Sequence, residues 1–310
     1  MSDKPYSAGI VTCSYSGDYD ACRILCESID RFVPAAMAHT LYVPRADVPM
    51  FAHLGNARRR IATQEELLPG WFWKLPLPSP EWRARLLLPR RNVYLTPFSL
   101  PVRGWIAQQV MKLAATQRAE TDIVVNIDSD NAFIRPLTMD HLVRDGRVRF
   151  YRNPDKVPLE SHRRWHRAAG KLLGLPDSDF YGAEYIHPLV VWRRDVLRAM
   201  LDRIVEVTGM DWQKALARTT HFAEFVLYGV YADKVAGLDQ AGLWASDQPF
   251  CLSRWAEDFR SAADEVAFVN ELQPRHVTCL IQSTIPMPPN ERQRIFNLAT
   301  DAAAAMDRAG

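Results

Sequence analysis

The sequence lacks most of the signals that would assign it quickly. No uninterrupted apolar stretch approaches the length that crosses a bilayer, and Met1 to Tyr6 carries no apolar signal core. The expectation is a cytoplasmic protein, with peripheral contact at the inner face of a membrane left open. There is no G-x-G-x-x-G and no P-loop, which argues against dinucleotide and ATPase chemistry. Net charge is nearly absent, +2 at pH 7, too little to point to nucleic acid. The cysteines number five, an odd count that, without a leader, fits a reducing compartment. Cys13, Cys22 and Cys26 invite a zinc reading, but a strand and the apolar face of a helix account for them as small buried hydrophobes. No internal repeat or low-complexity tract is visible.

What is present is organised around Ile123 to Ile134. Ile123-Val124-Val125-Asn126-Ile127 is a short apolar run rich in β-branched residues, the pattern of a buried strand in an α/β sheet. It stops at Asp128-Ser129-Asp130. Two carboxylates where a buried strand ends are costly without a partner, and ligands of open α/β sheets bind outside the carboxyl ends of the strands. Oxygen ligands at this spacing suit Mg²⁺ or Mn²⁺; the alternative is a plain turn of good turn formers. Two enzyme classes use D-x-D in this way. In haloacid-dehalogenase phosphatases the first Asp is a nucleophile near the start of the chain, and further acidic motifs follow; here Ala132 breaks the pattern and those motifs are missing. In GT-A glycosyltransferases D-x-D ends a central strand about a hundred residues in and holds a metal against a nucleotide-sugar diphosphate. Position and context favour the second class.

Along the chain, Ala8 to Ser14 reads as a first strand, and Asp18 as the N-cap of a helix carrying Ala21, Ile24, Leu25, Ser28, Ile29 and Phe32 at helical spacing. Leu41 to Arg45 reads as a second strand, making a β-α-β opening. Thr12, Ser14, Tyr15 and Asp18 resemble in placement the small polar and aromatic residues that hold the nucleoside at the end of the first strand in GT-A enzymes, or are simply turn and cap residues. Trp71 to Pro101 is rich in Trp, Pro and Arg and reads as a long loop packed by Trp71, Trp73 and Trp82; a contact with acceptor or membrane surface is the alternative. Gly104 to Ala115 reads as a helix feeding the Asp128 strand, with Gln108 and Lys112 one turn apart. Lys112 is either a basic contact for the nucleotide or diphosphate or a surface charge. Glu160 to Gly170 reads as a helix with Trp165, Ala168, Ala169 and Leu172 on its buried side and a solvated basic face that includes His162 and His166; phosphate contact by Arg163 or Arg167 is the alternative. His187 enters a strand running to Trp192 and is a candidate site residue or a histidine satisfied beside a proline turn. Phe222 to Tyr231 reads as a buried helix with Glu224 as its one charge. His276 opens a late strand, and Pro288 to Glu291 starts a C-terminal helix expected to pack outside the sheet or mediate assembly.

Ser14 to Asp18, Cys26 to Pro34, Gly104 to Leu113, Asp128 to Asp130, Tyr185 to Asp195 and Glu224 to Gly229, in that order, resemble a bacterial branch of GT-A-like proteins associated with surface polysaccharide synthesis. The resemblance implies a single GT-A α/β domain with a mixed central sheet flanked by helices: a nucleotide-binding half at 1–135, an acceptor half at 136–287 and a C-terminal helix at 288–310. It implies a Mn²⁺- or Mg²⁺-dependent transferase taking a nucleotide-diphosphate sugar to a glycan or glycan-precursor acceptor. Asp128, Asp130 and His276 would be the metal ligands; Glu224 would be the base for the acceptor hydroxyl or bind that hydroxyl directly, the alternative being a buried structural Glu paired with an Arg. The competing functions are a phosphosugar or nucleotidyl transferase using the same metal cradle, and a non-catalytic nucleotide-sugar-binding protein.

Overall fold

The computed structural model describes residues 6–76, 92–256 and 258–309. Its principal elements, in chain order, are β1 (Ala8–Cys13), α1 (Tyr19–Phe32), β2 (His39–Val43), β3 (Arg59–Thr63), α2 (Gly104–Arg118), β4 (Ile123–Ile127), β5 (Asn131–Phe133), β6 (Arg147–Tyr151), α3 (Glu160–Leu173), β7 (Leu189–Arg193), α4 (Arg194–Thr208), α5 (Trp212–Ala217), α6 (Glu224–Val230), β8 (Leu243–Ser246), β9 (Cys251–Arg254), α7 (Ala262–Asn270), β10 (Thr278–Ile281) and α8 (Pro289–Ala309).

The central sheet has the order β7-β4-β1-β2-β3. β1 runs parallel to β2 and β4, β2 runs parallel to β3, and β7 pairs antiparallel with β4. The chain therefore builds outward from β1 on one side, then crosses back to place β4 on the other. That reversal opens a crevice between the carboxyl ends of β1 and β4, the place where such sheets take ligands. Every residue of β1 and β4 is buried, as the apolar run requires of strands covered on both faces. The expected architecture, a mixed α/β sheet flanked by helices, is what the chain forms.

After the acidic turn the chain leaves this sheet. β5 pairs antiparallel with β10, which pairs parallel with β9. This small sheet packs with Ile24 of α1 and with Ile295, Phe296, Ala299 and Ala303 of α8 in a second apolar cluster. The C-terminal helix thus packs on the small sheet and shares an apolar core with it.

Other local readings are adjusted. Trp71 packs on the main core and meets Phe98 edge-on at 5.1 Å, but Trp73 is 55% exposed; Trp82 lies outside the described residues. The cysteines are free and buried, as small hydrophobes are. Val205, placed by its spacing on the buried face of α4, is 40% exposed. No described helix is long and apolar enough to cross a membrane.

α6 begins only at Glu224 and passes into a π-helical turn, Tyr231–Ala236. It lies so close to the Tyr185 ring that a β-carbon on Gly229 would fall 2.2 Å from Tyr185 Cγ and 2.6 Å from its Cβ. A glycine here sets the depth at which α6 presents Glu224. Gly229→Ala forces a backbone shift in a packed core and is expected to destabilise the chain by about 1–3 kcal/mol. A lower urea midpoint with an unchanged slope would bear this out; an unchanged midpoint would contradict it.

Candidate functional site

The switch-point crevice widens into an open cleft of about 1180 Å³. Its floor is the turn between β4 and β5. Asn131 closes that turn, its backbone and side-chain N–H groups donating to the Asp128 carbonyl at 3.2 and 3.1 Å. The turn is tied to the end of β10: Ile281 N–H donates to the Asp130 carbonyl at 3.2 Å and Ser283 N–H to Asp130 Oδ2 at 3.0 Å. The acidic pair is thus held by backbone at both ends.

Lys112 reaches this turn from α2. Its ammonium lies 2.8 Å from Asp128 Oδ1 and 3.1 Å from Glu224 Oε1, and it packs on the Phe225 ring at 4.8 Å. Burial opposes charge on Lys112, but Asp128 and Glu224 outweigh burial and hold the ammonium well above its ordinary range. Its hydrogen bond is directed at Asp128 Oδ2, 3.1 Å away, leaving Oδ1 buried without a directed partner. Glu224 is the first residue of α6. Ala223 has no side chain to cap that helix, and Gln109 Oε1 accepts the Glu224 N–H at 2.9 Å instead. Burial pushes the Glu224 carboxyl up, and Lys112 pulls it back. The lone charge of the apolar helix thus has its partner, a lysine, and is a fixed member of an ion-pair cluster rather than an isolated base.

Asp18 stands at the end of β1 across the crevice. It occupies the N-cap position of α1 but makes no side-chain cap hydrogen bond; it lines the cleft, and burial and Asp128 raise its carboxyl. Arg292 of α8 is the nearby countercharge, a contact that sequence reading missed; it donates to the carbonyls of Ile281 and Gln282, and its charge acts on Asp18 and Asp130. Among the described residues, Arg292 is the cation acting on Asp18 and Asp130, and Lys112 the one paired with Asp128 and Glu224.

The other expected residues divide. Gln108 lines the cleft. Thr12 is turned into the core: Arg59 Nε donates to His39 Nδ1 at 2.9 Å, so the His39 proton sits on Nε2 and faces Thr12 Oγ1 at 3.1 Å. Ser14 is buried, its carbonyl held by Gln64 at 2.8 Å. Tyr15 is 46% exposed, and its ring lies over Gly17. None of these three lines the cleft. His187 lines it but is committed to backbone: Nε2 accepts the Phe250 N–H at 3.0 Å, Nδ1 lies 3.0 Å from the Leu189 carbonyl, and burial and Arg149 push the ring down to about 3. It ties β7 to the Pro249–Phe250 turn and has no nitrogen left for acid–base work. Arg163 and Arg167 pair with Asp179 instead of entering the cleft.

Whether these residues suit a divalent cation is answered by the carboxylates. Burial and the adjacent Asp128 push Asp130 up to about 7. A cation would relieve that repulsion. His276 does not complete a protein-only site: Gln273 N–H donates to its Nδ1 at 3.2 Å, burial and Arg275 push it down to about 4, and the described residues contain no cluster of three or more His, Cys, Asp or Glu arranged to hold a metal. Two carboxylates fit Mg²⁺ or Mn²⁺, which usually keep waters or substrate phosphates as their other ligands.

Fold and site together define an α/β protein with an acidic, lysine-braced cleft at the switch point of its sheet. The chain belongs to a family of unknown function, DUF6492, whose model matches residues 9–299. No curated protein matches its sequence. Among solved structures, apo mouse xyloside xylosyltransferase 1 aligns over 91% of this chain and 99% of its own, at 10% identity and a TM-score of 0.47. A TM-score of that size carries no weight for fold or function.

The Asp130 carboxyl, raised from 3.8 to about 7, keeps its proton in the folded chain over a range where the unfolded chain has lost it. Without metal, this group makes stability fall as pH rises from about 4 to 7. Asp130→Asn should remove that loss. Melting temperatures in EDTA should converge near the acid end of this range and favour the variant near neutrality; parallel curves would contradict the placement.

Proposed function

We propose that this chain is a metal-dependent glycosyltransferase of the GT-A type, moving a sugar from a nucleotide-diphosphate donor to a glycan or glycan-precursor acceptor. The observation that carries this reading is the acidic turn at the end of β4, facing the switch-point crevice with a buried lysine braced beside it. An excess of carboxylate would repel a diphosphate; the same carboxylates loaded with a divalent cation attract one. Asp128 and Asp130 would hold Mn²⁺ or Mg²⁺. The bound cation would neutralise charge on the departing nucleoside diphosphate.

The chain's own groups then divide the work. Asp128 and Glu224 fix the Lys112 ammonium in place, so that its charge is already oriented when the leaving group gains its own. Glu224 is in this account a positioning residue for Lys112. Asp18, at the β1 end of the crevice, is suited to accept from a donor hydroxyl. Gln109 keeps the α6 terminus, and with it Glu224, at its present height. The same cleft serves both halves of the chain, with 1–135 supplying the donor side and 136–287 most of the acceptor side.

The test is product analysis after incubating the protein with nucleotide-sugars and Mn²⁺ in the absence of acceptor. Slow release of nucleoside diphosphate and free sugar is expected, and Asp130→Asn should abolish it while circular dichroism stays unchanged. Nucleoside monophosphate and sugar phosphate would mean that the pyrophosphate bond is the one broken, and would overturn the reading.

A further inference from the structure

A second group of residues lines the same cleft and has no part in holding the donor. Trp105, in the first turn of α2, lies beside Trp165 of α3, ring centroids 5.5 Å apart and planes at 34°. Trp165 stacks in turn on His162, at 4.6 Å and 20°. All three rings line the cleft, and Trp105 is 36% exposed. Behind His162 sits Glu184, whose side chain has no solvent exposure. Glu184 Oε2 is 2.5 Å from His162 Nδ1, and Oε1 accepts the N–H groups of Tyr185 and Ile186 at 2.9 and 3.2 Å. The Glu184 backbone is itself pinned to Asn153 by a reciprocal pair of hydrogen bonds at 2.9 and 2.8 Å.

Each feature points to a ligand. A buried carboxylate that already accepts two backbone amides is acceptor-only, so Nδ1 must carry the proton it shares with Glu184. In its neutral form the His162 ring would therefore be held in one tautomer, with Nε2 left as the acceptor; no described residue donates to it. A base oriented by a buried carboxylate is the arrangement that takes protons from hydroxyls. Adjacent indoles with an open face suit a pyranose, whose C–H face is apolar and whose hydroxyls project from its edge. Trp105 precedes Lys112 by two helical turns, about 10 Å of axial rise, which leaves space for a transferring sugar between the shelf and the braced lysine.

We propose that Trp105, Trp165 and His162 form the subsite for a saccharide acceptor, with His162, oriented by Glu184, accepting the proton of the sugar hydroxyl that attacks. This rests on the glycosyltransferase reading for its chemistry. As the acceptor oxygen bonds to the donor's anomeric carbon, its proton passes to His162 Nε2. The bond from that carbon to the diphosphate oxygen breaks, and its electron pair leaves with the diphosphate. The resulting imidazolium faces Glu184, which offsets its charge. His162 thus takes the role that sequence reading gave to Glu224, and the supposedly solvated face of α3 becomes a cleft wall.

The test uses a panel of methyl glycosides with the full-length protein, with Mn²⁺ and a nucleoside diphosphate titrated separately as a check on the donor side. Saturation-transfer NMR should show contact with the ring C–H protons of at least one glycoside, lost in both Trp165→Ala and Trp105→Ala. In histidine-labelled protein, the resonance missing from His162→Asn should show a protonated Nδ1 and a free Nε2 that shifts on adding that glycoside. Glu184→Gln should blur the tautomer and weaken the shift while nucleoside diphosphate binding persists. No glycoside contact, contact unchanged in both tryptophan variants, or a protonated Nε2 would overturn the proposal, even where the donor side binds as expected. Glycoside contact without nucleoside diphosphate binding would instead overturn the donor reading.

Discussion

The buried Lys112 ammonium is the interaction on which the rest of the site depends. It joins α2, the end of β4 and the start of α6 through one cation and two carboxylates. Lys112 and Glu224 are buried and would not be tolerated alone; breaking a buried pair by removing one partner typically costs about 3–5 kcal/mol. The cluster is therefore a constraint on structure as well as a source of field. It fixes where α6 begins, and Gln109 and Gly229 are consistent with that demand: one satisfies the helix's first N–H, the other lets the helix approach Tyr185.

The acidic turn is the counterpart of this constraint. Lys112 is shared between Asp128 and Glu224, and Arg292 donates to backbone carbonyls, so Asp130 has the Ser283 N–H, the Asn131 side-chain amide and a neighbouring negative charge. The strand end is held open electrostatically, its carboxylates kept close by backbone hydrogen bonds at a cost that a divalent cation would repay. The aromatic residues of the same cleft work differently. Trp105, Trp165 and His162 offer flat apolar faces and one fixed acceptor nitrogen, suited to an uncharged, hydroxyl-rich ligand rather than an anion.

Much of this was legible where the relevant physics is local. Ile123–Ile127 announced a buried strand, and the acidic residues after it announced the ligand end of the sheet. Lys112 was legible because its helix feeds that strand directly. What failed was set by long-range partners or by side-chain direction. Thr12 belongs to the first strand as expected, but His39 of the neighbouring strand, oriented by Arg59 of the next, claims its hydroxyl. His187 was noticed for its chemistry, yet backbone groups of Leu189 and Phe250 occupy its ring. Glu184 was not singled out, since its histidine lies 22 positions away. Arg292 sat in a helix whose place in the core depends on strands remote in sequence. Glu224 was read as an acceptor base or a structural Glu paired with an Arg; its partner is a lysine on another helix.

The central claim is that the carboxylates at the end of β4 bind a diphosphate only through a divalent cation. Calorimetric titration of the protein with the common nucleoside diphosphates, in Mn²⁺ and again in EDTA, tests it most directly. At least one nucleoside diphosphate should bind in Mn²⁺, and its affinity should fall below detection in EDTA. Equal affinity in EDTA, or no binding by any of them in Mn²⁺, would contradict the account.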